Sequence, residues 1–545
     1  MSVNFQLLST GSSSSSSSDE DEDYHDNYND NDRQPLSVTL HYELYDDMPV
    51  LSKWIEIKYG DEENSQVKAV QKSQNHDDDD STNSFVIVRN VTTEWLALYP
   101  PFGSYDFYHG SLHPYMFYNG AAGSSSRPPP PQLFAFTDQA HGAHCQWVDD
   151  YFNSNDTAVD PVHTPFDMGA NEPLLKCSYT SGPGVRLGTT GSTNHKTYFE
   201  SFRSIMLATD SIDPERQSLM KHRMTQTLVP WVTENPLFFH SVINEPPLSR
   251  NSTQHFRRLI EQMHDVGFEM LVFSFDSSFQ LETKNSTYLN YIRQQVDYAK
   301  RYQIEIGGYD LIVLARGHDG YGGNVGDEYV AVDPATGRLT ANACFASGWV
   351  DKLTDMVQNF LNQTGLTNLE LDGPYGGSPC GSKNHSHHHG AEDSVYVQTQ
   401  KQNEFMRMLR AQGVYINQPD YYFYQGGNRV GMGYDENQYS LPRWHQLTIS
   451  RAGIYDDLYR LLPTQGWMFV PLSEYHGGGD AATFLGHPEA LEWALAQYFG
   501  AGAGAAWRGP ELFDAPRVIR MLADDDTRAI YKRWIGFYKQ HRPII

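Results

Sequence analysis

Acidic side chains stand where short apolar runs of this sequence end. The plainest case is Leu369-Glu370-Leu371-Asp372-Gly373-Pro374-Tyr375-Gly376. On a strand, Glu370 and Asp372 share a face, and the Gly-Pro turn after Asp372 leaves its carboxylate at an open mouth. A carboxylate there suits nucleophilic attack on an anomeric carbon, provided a second carboxyl group lies about 5–5.5 Å away to act as acid and then base. Later runs supply partners. Asn417-Gln418-Pro419-Asp420 leads into Tyr421, Tyr422, Phe423 and Tyr424. Tyr434-Asp435-Glu436 follows a glycine-rich loop, Arg451 leads to Asp456 and Asp457, and Ser473-Glu474-Tyr475-His476 opens onto three glycines. The expected catalytic set is therefore Asp372 as nucleophile, with Asp456, Asp420 or Glu436 as acid/base and Glu474 as a further carboxylate. For each partner the alternative is hydroxyl binding or a loop salt bridge; for Asp372 it is capping of the loop. Tyr375, Tyr421 and Trp467 offer flat faces on which a sugar ring can stack. Glu474 and His476 are the expected hydroxyl-binding residues, and Glu370 and Arg451 are further substrate-binding residues.

These groups need a scaffold that brings strand ends together. From about Pro236, eight short apolar runs alternate with helical periodicity: Leu237–Val242, Met270–Phe275, Ile304–Val313, Leu366–Leu371, Val414–Asn417, Leu447–Ser450, Trp467–Leu472 and Gly500–Trp507. Phe256, Leu259, Ile260, Met263 and Val266 form one helical stripe. Val350, Leu353, Met356, Val357 and Phe360 form another, with Ser347 placed to cap its helix, and a last helix is expected near Asp526–Lys539. Strand then helix, eight times, predicts a (β/α)8 barrel over 231–545 with reactive groups at the C-terminal strand ends.

Residues 36–230 read as β. Val38, Leu40, Tyr42 and Leu44, then Leu51, Lys53, Ile55, Ile57 and Tyr59, alternate across an Asp-Asp-Met-Pro turn, predicting a hairpin with one buried face. Phe85–Val88 and Phe199–Leu207 are further strands, and a β-sandwich domain is the natural sum. Residues 1–35, with the run Ser12–Ser18 and the acids that follow, read as a disordered tail. Asp77–Asp80, Ser124–Ser126 and Pro128–Pro131 read as loop insertions.

Bulk properties exclude several classes. The net charge of −27 comes without a basic stripe, which disfavours nucleic acid as a partner. No stretch reaches the roughly 18 apolar residues of a membrane span. The start carries no basic region followed by an apolar run, so a cytoplasmic chain is expected, or a secreted one if the true start is missing; six N-x-S/T sequons would then be usable. The four cysteines make no disulfide framework, although Cys344 and Cys380 fall in neighbouring loops of the barrel and could pair. Cys380, His385, His387, His388 and His389 crowd one loop, but their spacing fits no closed zinc site and a solvated loop is expected. The glycine-rich stretch Gly317–Gly326 leads into Tyr329–Thr336 and a D-P-A-T-G turn, not a helix, so no dinucleotide loop is read there. His240 stands alone after the first run, without the H-x-H of a metal-dependent barrel. No cofactor and no metal are expected.

Four stretches carry a resemblance: YELYDDMPVLSKW at Tyr42–Trp54, FESFR at Phe199–Arg203, DPER at Asp213–Arg216 and PWVTENP at Pro230–Pro236. With them the chain resembles a divergent branch of the melibiase-like α-galactosidase and raffinose-synthase superfamily of glycoside hydrolases, over about residues 36–545. The resemblance implies a retaining exo-hydrolase acting on α-linked sugars of an oligosaccharide or polysaccharide. It puts the nucleophile after the fourth strand, on Asp372, and the acid/base after the sixth, where Asp456 leads. The family's K-W-D nucleophile motif is replaced here by Glu370-Leu371-Asp372, and its acid/base aspartate comes at the strand end, where this chain has Ser450-Arg451. The family's C-terminal β-domain is expected to be missing and the sandwich to be shortened. A transglycosylase of the raffinose-synthase kind and a catalytically inactive carbohydrate-binding protein are the alternatives.

Overall fold

The computed structural model describes residues 2–7, 36–59, 85–97, 104–105, 114–115, 133–148, 174–188, 197–241, 250–273, 277–418, 422–426, 442–451, 467–470, 487–509 and 525–543, with breaks at 140, 235, 278, 446, 449–450 and 501–503.

Seven strands form one parallel sheet: β1 (Phe238–Ser241), β2 (Met270–Phe273), β3 (Glu305–Leu311), β4 (Asn368–Asp372), β5 (Tyr415–Asn417), β6 (Trp467–Val470) and β7 (Gly504–Gly509). Their spatial order is β5-β4-β3-β2-β1-β7-β6, all pairs parallel. The first strand thus pairs with both the second and the last, and among the described residues β5 and β6 are the end strands of the sheet. The sixth apolar run is not a strand where the sequence placed it: residues 443–445 and 447–448 are helical. Trp444 and Leu447 are three apart, a helical rather than a strand spacing, and Pro442 stands immediately before the first helical residue, where a missing N–H removes nothing.

Helices follow the strands: α1 (Pro214–Leu228) ahead of the sheet, then α2 (Arg250–Val266), α3 (Ser286–Lys300), α4 (Trp349–Thr364), α5 (Ala391–Ala411), α6 (Pro488–Gly500) and α7 (Asp525–His541). The D-P-E-R stretch is a helix start: Asp213 accepts from the Arg216 N–H and Pro214 takes the first turn. Asn285 caps α3 by accepting from the N–H groups of Thr287 and Tyr288. Ser347 stands one residue before the cap position of α4, held by Gly348, and its Oγ accepts from Trp349 N at 3.2 Å. Both expected apolar stripes, on α2 and α4, are buried against the outward strand residues Leu271, Ile306, Leu369, Leu371 and Ile416. Inside the sheet, Gly307 leaves room for a polar side chain, since a Cβ there would lie 1.3 Å from Asn368 Oδ1. Among the described residues no helix is long and apolar enough to cross a membrane.

The N-terminal third is antiparallel. Leu36–Leu44, Val50–Tyr59, Ser204–Ala208 and Leu133–Thr137 are neighbours in one sheet, with Tyr198–Glu200 also on Val50–Tyr59. The expected hairpin forms with Leu44 opposite Leu51, but residues 36–43 are all only half-buried, so neither face is sealed as the alternation predicted. Residues 2–7, expected in a disordered tail, pair antiparallel with that strand, Ser2 opposite His41 through Leu7 opposite Leu36; Val3, Phe5 and Leu7 supply the alternation. A three-stranded sheet of Thr92–Ala97, Leu174–Tyr179 and Ala143–Val148 carries a disulfide, Cys145–Cys177, between directly opposed residues. The pair that closes is Cys145–Cys177, which the sequence reading did not single out, while Cys344 and Cys380, left there able to pair or to stay as free thiols, are free and buried. Residues of these antiparallel sheets share an apolar core with Ala331, Ala346, Tyr396 and Val397 of the region that follows.

Candidate active site

Asp372 is the last residue of β4, at the C-terminal edge of the parallel sheet. Its neighbour Tyr309 lies on β3, paired in register with Glu370, and therefore on the same face as both acids. Tyr309 donates its hydroxyl to Asp372 Oδ2 at 2.6 Å, and Tyr375 donates to Oδ1 at 3.1 Å. Burial first, then the Asp372 charge, push the Tyr309 hydroxyl far above its ordinary range, so it stays a donor at any working pH. The carboxylate itself is partly exposed, and among the described residues its partners are these two phenols, with no ammonium or guanidinium bound to it. It is oriented and stays accessible.

The turn that follows is packed against the N-terminal region. Tyr375 is 37% exposed and adopts a left-handed φ of 39°. Gly376, at φ 72°, lets the N-terminal β region approach, since a Cβ there would lie 2.7 Å from His141 Cβ. His141 meets Tyr375 edge-on at 6.0 Å between ring centres. His141, from the turn between Leu133–Thr137 and Ala143–Val148, therefore stands beside the Asp372 turn.

Below Asp372 the sheet interior is polar. Glu370 Oε1 lies 3.7 Å from His240 Nε2, across from β4 on β1, and Asn417 Nδ2 lies 3.2 Å from the same nitrogen. Asn368, fully buried, adds an amide to this floor. His240, alone in the sequence, is thus part of a Glu-His-Asn group directly beneath the candidate nucleophile. Behind β3, on the opposite face, Asp310 lies 3.8 Å from Arg316, which also binds Glu282 and the Leu311 carbonyl. Burial, then the Glu282 charge, hold the Asp310 carboxyl up at about 8 against the pull of Arg316.

The structure brings three expected residues together: Asp372, Glu370 and Tyr375. Asp420, Tyr421, Glu436, Asp456, Glu474 and His476 lie outside the described residues. Arg451 is helical and exposed. Trp467 opens β6, and only its backbone is described. The sequence reading missed Tyr309 and His141. Tyr309 had a signal, an aromatic inside the third run, two residues before the end of the strand it forms and on the face that Asp372 takes one strand over. His141 had none, because it comes from the N-terminal region. The loop expected to be solvated is also different. Cys380 and His388 are buried, and with Cys344 and His385 they are the one group of metal-ligating side chains among the described residues whose donor atoms converge.

No family model and no curated protein matches this sequence. Solved structures do match. The galactosidase domain of the α-galactosidase-sucrose kinase AgaSK superposes with a TM-score of 0.53 at 10% identity, covering 93% of this chain and 66% of that one. An α-galactosidase from Lactobacillus brevis gives 0.53 at 13% identity, covering 93% and 65%. The GH36 α-galactosidase AgaB from Geobacillus stearothermophilus gives 0.50 at 10%, covering 93% and 67%. The chain has the melibiase-like α-galactosidase fold. It spans about two thirds of the length of these α-galactosidase structures. At such identities the likeness concerns the α-galactosidase fold, and the chemistry has to be argued from the residues.

Proposed function

We propose that this protein is a retaining exo-glycosidase of the α-galactosidase type, removing an α-linked sugar from an oligosaccharide or polysaccharide. The observation that carries the proposal is Asp372: a partly exposed carboxylate at a parallel strand's C-terminal end, aimed by two phenols and bound to no cation among the described residues. Asp372 attacks the anomeric carbon and forms a glycosyl-enzyme. A second carboxyl, with Asp456 leading and Asp420 and Glu436 as alternatives, protonates the leaving oxygen and then activates water. Glu370 and Tyr375 line the sugar pocket, joined by Tyr421, Arg451, Trp467, Glu474 and His476 from the other strand ends.

The same reading takes the seven-stranded sheet as part of a (β/α)8 barrel over 231–545, and the N-terminal strands as a β-sandwich domain over 36–230. A panel of 4-nitrophenyl glycosides tests the activity. Turnover of the α-galactoside, with the α-anomer as the first product seen by NMR, is the expected result. A β-anomer as first product would refute the double displacement, and turnover of β-glycosides alone would refute the class.

A further inference from the structure

Two connections leave the C-terminal edge of the parallel sheet on either side of Asp372. The one from β3 to α4 contains a hairpin of Val330–Val332 with Leu339–Ala343 and ends on Cys344. The one from β4 to α5 carries Asp372's turn, then Cys380, His385 and His388. The Sγ atoms of Cys344 and Cys380 and one nitrogen from each of His385 and His388 all lie within 4.8 Å of one another. Individual edges are 3.5 Å from Cys344 Sγ to His388 Nε2, 3.4 Å from Cys380 Sγ to His385 Nδ1, and 3.1 Å from His385 Nδ1 to His388 Nε2. A tetrahedral zinc with bonds of about 2.3 Å to sulfur and about 2.05 Å to nitrogen requires edges of roughly 3.6 Å for S–N and roughly 3.3 Å for N–N. Three of the six donor–donor edges already stand close to that spacing, and the other three lie within 4.8 Å.

Their surroundings fit ligation. His388 Nδ1 lies 3.1 Å from the Gly390 carbonyl, which fixes the proton on Nδ1 and turns the Nε2 lone pair to the cluster. The Val332 N–H donates to Cys380 Sγ at 3.4 Å, as a backbone amide does to a metal thiolate. Cys344 and Cys380 are fully buried and His388 nearly so. The other two histidines of the loop are engaged elsewhere: His387 with Asp351 at 2.8 Å, His389 with Asp393 at 2.8 Å. A chain that closes Cys145–Cys177 yet leaves two thiols within 4.8 Å unbridged has a reason to keep them apart if both hold a metal.

We propose that Cys344, Cys380, His385 and His388 bind one zinc ion in a tetrahedral Cys2His2 site. Two thiolates with two imidazoles are a zinc donor set, and four protein ligands leave no open position for a substrate or reactive water. The site is structural. It fastens the β3–α4 connection to the β4–α5 connection and so braces the turn that carries Tyr375 and Gly376 beside Asp372. It does not depend on the glycosidase reading.

The test is metal analysis of the full-length chain, purified without a histidine tag and dialysed after zinc addition. About one zinc per chain is expected. His388→Ala and the Cys344→Ser/Cys380→Ser double variant should each lose at least about tenfold of the bound zinc, while His387→Ala keeps it. Should the variants fail to fold, cobalt substitution of the wild-type chain decides: a thiolate-to-cobalt charge-transfer band with tetrahedral d–d bands supports the site. Substoichiometric zinc in the wild type, a cobalt spectrum without thiolate bands, zinc retained by the double cysteine variant, or a Cys344–Cys380 disulfide found by mass mapping would each overturn it.

Discussion

Replacing Tyr309 by Phe removes one hydroxyl and little else. That hydroxyl donates at 2.6 Å to Asp372 Oδ2 from a strand position fixed in register opposite Glu370. A hydrogen bond to a charged acceptor contributes about 1.5–3 kcal/mol, and leaving the acceptor without its donor forfeits most of that. If the bond holds the carboxylate in its line of attack, the same energy appears in the barrier, a fall in kcat/KM of roughly 10- to 150-fold. Tyr375→Phe is the internal comparison. Its bond is longer, 3.1 Å, and its ring is 37% exposed, so water can replace the lost donor. It should fall less than Tyr309→Phe. The assay is kcat and KM on a 4-nitrophenyl α-galactoside for both variants, with thermal unfolding to show that each remains folded. A Tyr309→Phe enzyme within twofold of wild type, or a Tyr375→Phe enzyme equally damaged, would refute the positioning argument.

Two stability predictions follow from groups away from the site. Asp310 keeps its proton up to about pH 8 in the fold, against an ordinary value of 3.8, so its contribution is fully present below pH 3.8 and is lost as pH rises to about 8. Asp310→Asn should therefore raise the Tm at pH 8.5, by about 2 °C or more, and flatten its decline between pH 5 and 8; an unchanged pH profile by calorimetry would contradict this. The Cys145–Cys177 bond spans 32 residues, for which chain entropy predicts about 3.7 kcal/mol. The Cys145→Ser/Cys177→Ser variant should lose unfolding free energy of that order, read from a lower denaturant midpoint, and an unshifted midpoint would mean that the bond does not form.

What is legible in the sequence is what local periodicity encodes. Runs such as Asn368–Asp372 and stripes such as Phe256–Val266 announce their class because burial on one face imposes a period. Asp372 is legible because it closes an apolar run, which puts it at the C-terminal end of its strand. The segment Leu447–Ser450 is not, because four residues cannot separate a strand from a helical turn. Hidden entirely is what depends on pairing between distant segments. Cys145 meets Cys177 only through strand register, and His240 meets Glu370 only across the sheet interior; Cys344 and Cys380 are expected in neighbouring loops, but their convergence with His385 and His388 is not. In the last case no fixed ligand spacing announces the cluster, since Cys344 comes from a different connection than the three ligands that follow it.

The central claim is that Asp372 forms the covalent bond to the sugar, and Asp372→Gly with added azide tests it most directly. The account predicts that the variant loses turnover of a 4-nitrophenyl α-galactoside by at least about 10^4-fold, and that azide in the vacated space restores release of nitrophenol with a β-glycosyl azide as product. A variant that keeps wild-type turnover, or one that azide rescues only to free sugar, would show that Asp372 is not the nucleophile.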